Sequence, residues 1–98
     1  MVKHMIIWKL KEELQDPAAA KATLKEALEG LVGVVPGLVE MHIHTEGYAC
    51  SAGDLLMDST LESKEALDAY QTHPAHVAAA TNIVRPAVSQ RLSFDYEV

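Results

Sequence analysis

The stretch VKHMIIWKL at Val2–Leu10 decides the class of fold. It is rich in β-branched and aromatic residues, which predicts a first β-strand. Successive side chains of a strand point to opposite faces. One face of this strand carries Val2, His4, Ile6 and Trp8. Met5 and Ile7 lie on the other face, so both faces are largely apolar and we expect a sheet that is covered on both sides.

A helix and a second strand are predicted next. Asp16 has the character of an N-cap and Pro17 that of a first helical residue, while Gly33 and Pro36 end the helix. Residues 38–46 alternate between apolar and polar side chains, which is typical of a strand with one solvated or interface face. The apolar side of this second strand carries Val39, Met41 and Ile43.

The remaining residues predict the order strand, helix, strand. Residues 54–61 and 88–96 form the third and fourth strands, and Ser63 caps the helix between them. Pro74 interrupts this helix because it disfavours the α conformation of His73, and it opens a further helical stretch to about residue 82. Arg85-Pro86 ends that stretch. The order βαββαβ predicts an α+β, ferredoxin-like fold with a four-stranded antiparallel sheet and both helices on one face.

Composition restricts the class of protein. A chain of 98 residues fits a single domain, residues 1–98. Fourteen acidic and eight basic residues give a net charge of −6 without a basic cluster, which argues against binding to nucleic acid or an anionic membrane. Cys50 is the single cysteine and can form no internal disulfide. With no long apolar run and no signal-peptide pattern, we expect a cytoplasmic protein.

The predicted arrangement also implies a partner. Two helices cover only one face of the sheet, and an apolar second face needs another surface against which to pack. We place Ile6 and Trp8 on this second face and expect a second copy of the chain to cover it. The sequence therefore predicts a homodimer.

Several motifs together resemble the stress-responsive α/β-barrel (Dabb) family. They are VKHMIIWKLK (2–11), VPGL (35–38), DLLMDSTLESKEALDAY (54–70), QTHPAHV (71–77) and FDYEV (94–98). The resemblance extends over nearly the whole chain and implies a dimeric α+β barrel. One enzyme of this family closes a linear polyketide by aldol chemistry without a cofactor. Its catalytic tyrosine and histidine correspond to Tyr70 and His76, and a histidine of its pocket corresponds to His4.

Tyr70 and His76 are accordingly the predicted catalytic residues. Pro74 places His76 in the first turn of a helix, where the positive end of the dipole favours a neutral imidazole that can accept a proton. Tyr70 can donate a hydrogen bond to a carbonyl oxygen that becomes negative as an enolate forms. The alternative is structural: Tyr70 packs in the core and His76 binds a backbone carbonyl.

Further residues are predicted to line a ligand pocket: His4, Ile6, Trp8, His73, Arg91 and Asp95. An imidazole such as that of His4, on an otherwise apolar face, needs a partner or a ligand. Asp95 either orients His4 or His76, or pairs with Arg91, and we favour the pair. His73 precedes the proline and is expected to bond across the helix break. Arg91 and Ser93 replace aliphatic residues of the family enzyme, and Leu55 replaces a histidine, so the resemblance implies a more polar pocket and a different substrate.

His42 and His44 point to the same side of the second strand, flanked by Glu40 and Glu46. This arrangement can hold a divalent transition metal, particularly where a dimer axis brings two pairs together. We favour a solvated strand face and predict no metal site.

Three functions remain open at this level. The first is a dimeric barrel that binds an organic molecule with a carbonyl group and performs acid–base chemistry without a cofactor. The second is a ligand-binding or stress-associated structural protein without catalysis, and the third is a cofactor-independent monooxygenase. A cavity reached by both Tyr70 and His76 favours the first function, whereas a sealed interior favours the second.

Overall fold

The computed structural model describes residues 1–98 and contains four strands and four α-helical segments. Their order along the chain is β1 (Val2–Leu10), α1 (Pro17–Glu29), β2 (Leu38–His44), β3 (Leu55–Leu61), α2 (Lys64–Thr72), α3 (Pro74–Ala79), a π-helical segment (Ala80–Val84), α4 (Arg85–Ala87) and β4 (Val88–Glu97). None of the helices is long and apolar enough to span a bilayer.

The four strands form one antiparallel sheet in the order β2-β3-β1-β4. The first strand of the chain is therefore central, with Val2 opposite Leu61 on one side and Glu97 on the other. This is the predicted α+β, ferredoxin-like arrangement. β2 and β4, which are distant in sequence, form the two edges.

The predicted starts of both main helices are confirmed. The Asp16 carboxylate accepts a hydrogen bond from the Ala19 N–H at 3.0 Å, and the Ser63 hydroxyl accepts one from the Ala66 N–H at 3.1 Å. Each bond satisfies a backbone donor that the first turn leaves free. Because these caps act within three residues, the sequence is sufficient to place them.

The prediction that Arg85-Pro86 ends the helical region is wrong. Helical geometry continues through a π-helical segment into α4, which ends at Ala87. Pro86 lies in the first turn of α4, where its missing N–H removes no helical hydrogen bond. The wider π turn separates this new start from the preceding helix.

β2 departs from strict alternation. Its pairing with β3 shifts register just after Leu38, so that Val39 is 38% exposed while Leu38, Met41 and Ile43 are buried. A bulge of this kind turns the residues on either side of it towards the same face. The prediction that Val39 lies on the apolar side is therefore wrong, whereas Met41 and Ile43 lie there as predicted.

The helices cover the face of the sheet that carries His4, Ile6 and Trp8. These three side chains are only 1%, 5% and 3% exposed in a single copy of the chain. The prediction that Ile6 and Trp8 face a second copy is therefore wrong. Alternation along β1 separates two sets of residues correctly, but both sets are apolar, so it does not show which set the helices cover.

The opposite face, here called the open face, carries the uncovered apolar side chains. Ile7 is 45% exposed, Leu92 is 73% exposed and Phe94 is 71% exposed. The register places Leu92 opposite Ile7 and Phe94 opposite Met5, so these side chains form one continuous patch. A large apolar patch on a sheet indicates a surface that packs against something else.

Candidate functional site

The helix-covered face of β1 and β4 forms the floor of the candidate site. Antiparallel pairing places Asp95 opposite His4, Ser93 opposite Ile6 and Arg91 opposite Trp8. Residues paired in this way project to the same face of a sheet. The floor therefore has a His4–Asp95 end and a Trp8–Arg91 end, with the site residues predicted on both strands gathered on one surface.

At the first end, His4 is fully buried, and its Nδ1 and its backbone carbonyl both have partners. Its Nδ1 contacts the Asp95 carboxylate, and its backbone carbonyl accepts a hydrogen bond from the Ser59 hydroxyl at 2.6 Å. The predicted Asp95–Arg91 pair is absent. Four residues along a strand span about 13 Å, so the residue directly across from Asp95, not Arg91, is its partner.

Tyr70 lies on α2 above this end of the floor. Tyr70 is 1% exposed. Its ring and the ring of His4 are in edge-to-face contact, with the ring centroids 5.9 Å apart. Burial raises the pKa of the Tyr70 hydroxyl, and the charge of Arg91 offsets only part of this effect. The phenol is therefore protonated at neutral pH and serves as a hydrogen-bond donor.

His76, on α3, packs against Tyr70 with ring centroids 4.2 Å apart. Its Nδ1 lies 3.3 Å from the backbone carbonyl of Gln71. A carbonyl only accepts, so Nδ1 carries the proton and Nε2 keeps a free lone pair. Burial lowers the pKa of His76, against the effect of the Gln71 carbonyl, and the charges of His4 and Arg91 act in the same direction as burial.

The pKa of His76 is lowered mainly by burial, whereas the sequence predicts a neutral imidazole because of the dipole of the new helix. That helix, α3, has only six residues. The amount of burial depends on the packing of α2 against α3 and on β1 below them. A local sequence pattern does not contain that information.

His73 has a capping role. Its Nδ1 accepts a hydrogen bond from the Ala75 N–H at 3.1 Å, which caps the start of α3 across the break at Pro74. This is the bonding across the break that the sequence predicts. Two partners are not predicted from the sequence: the Ser59 hydroxyl and the backbone carbonyl of Gln71. The sequence does offer an indication of Ser59, which is a polar residue on the inward side of an apolar strand. It offers none of a partner that is a backbone carbonyl.

Two cavities flank the site. One, of about 310 Å³, is bordered by Asp95, Gln71 and Leu67 at the His4 end of the floor. The other is a groove of about 640 Å³ that lies mainly on the open face, lined by Ile7, Leu56 and Leu92, with Arg91 and Leu55 at its border. Neither cavity is lined by Tyr70, which is fully buried, or by His76, which is partly buried.

His42 and His44 are exposed on the edge strand β2, and no group of three side chains suited to a metal ion is present. The nearest carboxylate to His42 is that of Glu40, at 3.9 Å. We expect the melting temperature to be the same with and without stoichiometric zinc, in the parent chain and in the His42→Ala/His44→Ala double variant. A zinc-dependent rise that the double variant abolishes contradicts this prediction.

Comparison with known proteins adds a family and several relatives. The family described as Stress responsive A/B Barrel Domain matches residues 2–98. Among characterised proteins, olivetolic acid cyclase of Cannabis sativa is 29% identical over 103 aligned residues, which cover 97% of this chain and 94% of the cyclase.

Solved structures agree with the fold. A dimeric protein of unknown function with a ferredoxin-like fold from Bacteroides fragilis has a TM-score of 0.89 and 24% identity, and the match covers 99% of this chain and 95% of that protein. A dimeric ferredoxin-like protein of unknown function from Jannaschia sp. CCS1 has a TM-score of 0.77 and 25% identity, with 99% and 98% covered.

Proposed function

This chain belongs to the stress responsive A/B barrel domain family, and we propose that it is a dimeric barrel that performs cofactor-free acid–base chemistry on a carbonyl compound. The observation that carries the proposal is the close packing of the His76 ring against that of Tyr70, with the His76 Nδ1 held by the Gln71 carbonyl. This arrangement presents one proton acceptor and one hydrogen-bond donor side by side.

The proposed chemistry uses both groups on one substrate. His76 Nε2 takes a proton from the carbon next to the carbonyl, and the electrons of that C–H bond form the C=C bond of an enolate. The carbonyl π electrons move onto oxygen, where the Tyr70 hydroxyl donates a hydrogen bond to the developing charge. The enolate carbon then attacks a second carbonyl of the substrate, and the protonated His76 returns its proton to the alkoxide that results.

Three observations support this assignment. Burial keeps the Tyr70 hydroxyl protonated and the His76 imidazole neutral, which are the forms that the chemistry requires. The 29% identical relative is a cyclase by name. The contact of Asp95 with His4, directly behind Tyr70, holds in place the surface on which the tyrosine ring packs.

The proposed dimer follows from the open face. A second copy of this chain covers the patch formed by Met5, Ile7, Leu92 and Phe94, and the two sheets then enclose an apolar interior. The dimeric state described for the Bacteroides and Jannaschia proteins supports this assembly. The helix-covered site lies on the other side of the sheet and belongs to one copy.

A second candidate function is binding without catalysis. It is favoured by the closure of the site, because Tyr70 is 1% exposed and neither flanking cavity reaches it or His76. In that case Tyr70 is a core residue and the flanking cavities alone hold the ligand.

Exchange of protons next to a ketone separates the two candidates. With 5-oxohexanoate and, separately, its methyl ester in D₂O, followed by NMR, we expect His76→Ala and Tyr70→Phe each to slow enzyme-dependent exchange by about 10²–10⁴-fold. The loss of rate in the double variant is expected to be far smaller than the product of the two single losses, because the two groups act together. The exchange rate is expected to fall on acidification only below pH 6.5, because burial lowers the pKa of His76 from that value and the protonated imidazole accepts no proton.

The structural alternative gives a different set of results. Exchange no faster than in buffer, with Tyr70→Phe silent and His76→Ala destabilised by about 1–3 kcal/mol, contradicts the catalytic proposal. Melting temperatures measured on the same two variants provide this control. They also show whether a loss of rate is only a loss of folded protein.

A further inference from the structure

Trp8 presents a buried donor without an acceptor. It is the only tryptophan of the chain, its side chain is 3% exposed, and its Nε1 has no hydrogen-bond partner. Buried N–H groups nearly always have a partner, because folding removes them from water without other compensation. An unpaired indole N–H therefore marks a place where an acceptor from outside the chain fits.

Arg91 provides a free cation at the same place. Although acidic residues outnumber basic ones fourteen to eight, no carboxylate pairs with Arg91. Asp95, which shares the face of Arg91 on β4, is already engaged by His4. Arg91 is also exposed, so that its guanidinium can meet a ligand from solvent.

The sheet brings these two groups together. Trp8 and Arg91 are direct cross-strand partners, and such pairs have their Cβ atoms about 4.5–5.5 Å apart on one face. The charge of Arg91 also acts on Tyr70 and on His76. The Trp8–Arg91 row therefore belongs to the same helix-covered surface as the proposed catalytic pair.

We propose that Trp8 and Arg91 form a carboxylate subsite, so that the substrate is an oxo acid whose ketone is held beside Tyr70 and His76. A guanidinium offers a planar pair of N–H donors that matches a carboxylate, and the indole N–H adds a third. The inference rests on the proposed function and adds the class of its substrate.

The length of the floor indicates the shape of the substrate. Trp8 lies four residues from His4 along β1, which is about 13 Å. Tyr70 packs over the His4 end, and the long Arg91 side chain covers part of the separation. The carboxylate and the reacting carbonyl are therefore separated by several bonds, as in 5-oxohexanoate.

A pair of matched probes tests the subsite on the intact protein. We expect 5-oxohexanoate, titrated into ¹⁵N-labelled protein, to shift the single indole N–H resonance downfield in a saturable way. Its methyl ester, which keeps the ketone and lacks the charge, is expected to leave that resonance nearly unchanged. Arg91→Gln is expected to raise the Kd of the acid by about ten- to a hundredfold. Arg85→Gln, the same change at the other exposed arginine, is expected to have no effect.

The results distinguish this inference from the proposed function. Equal affinity for acid and ester, no saturable binding of the acid, or equal behaviour of Arg91→Gln and Arg85→Gln overturns the carboxylate subsite. The acid–base proposal survives those results if exchange at the ketone still requires Tyr70 and His76. Conversely, Arg91-dependent binding of the acid, with no exchange at the ketone, supports the subsite and rejects the acid–base chemistry.

Discussion

Leu92→Asp is expected to convert the proposed dimer into monomers. Leu92 is 73% exposed in a single copy, so one folded chain accommodates the aspartate, but in the dimer this position lies in an apolar interface opposite Ile7. An unpaired carboxylate buried there costs several kcal/mol, and twofold symmetry places one in each copy. At about 1.4 kcal/mol per factor of ten, the dimer Kd is expected to rise at least about a thousandfold.

Ser93→Asp is the matched control for this experiment. It introduces the same charge at the next residue of the same strand, but on the helix-covered face, opposite Ile6. Sedimentation velocity at micromolar concentration is expected to show twice the 10.7 kDa chain mass for the parent and for Ser93→Asp, and the single-chain mass for Leu92→Asp. Because the dimer covers apolar surface, Leu92→Asp is also expected to melt earlier. A parent protein that sediments as a stable monomer is incompatible with this assembly.

Gly37→Ala is expected to destabilise the fold by about 2–5 kcal/mol, which is a large part of the stability of a small domain. Gly37 has a φ of +84°, and a β-carbon there lies 2.6 Å from the Cβ of Ala66. The positive φ costs about 1–2 kcal/mol for alanine, and the overlap adds about 1–3 kcal/mol. Ala66 lies one turn before Tyr70 on α2, so relief of the overlap displaces the helix that carries the site.

Gly33 provides the control for the backbone contribution. Its φ is +87°, but no atom lies within 4 Å of a β-carbon placed there. In urea denaturation, Gly33→Ala is expected to lower the free energy of unfolding only by the cost of the positive φ, about 1–2 kcal/mol. Adding Ala66→Gly to Gly37→Ala is expected to restore the part of the stability that Gly37→Ala loses through the overlap with Ala66. Equal losses for the two single alanine variants rule out the contact with Ala66 as the cause.

The site shows which functional residues short-range sequence patterns predict and which they do not. The sequence identified Tyr70 and His76 through a motif that spans a proline break, and the structure brings their rings together. It also identified His4 as an imidazole in need of a partner. It offered Asp95 as a partner of His4 or His76 but did not select His4, because Asp95 is opposite His4 only once β1 and β4 are paired in one particular register. The preference for an Asp95–Arg91 pair came from proximity in sequence and was wrong for that reason.

The sequence by itself determined the strands, the helix starts at Asp16 and Ser63, and the βαββαβ order, because caps, prolines and alternation act over a few residues. Only the tertiary structure decided which face of β1 the helices cover. Val2–Leu10 is apolar on both sides, and the choice depends on where α1, α2 and α3 pack. That packing buries His4, Ile6 and Trp8 within one copy and leaves Ile7 uncovered. It also sets the burial that lowers the pKa of His76, since desolvation depends on every element around the imidazole.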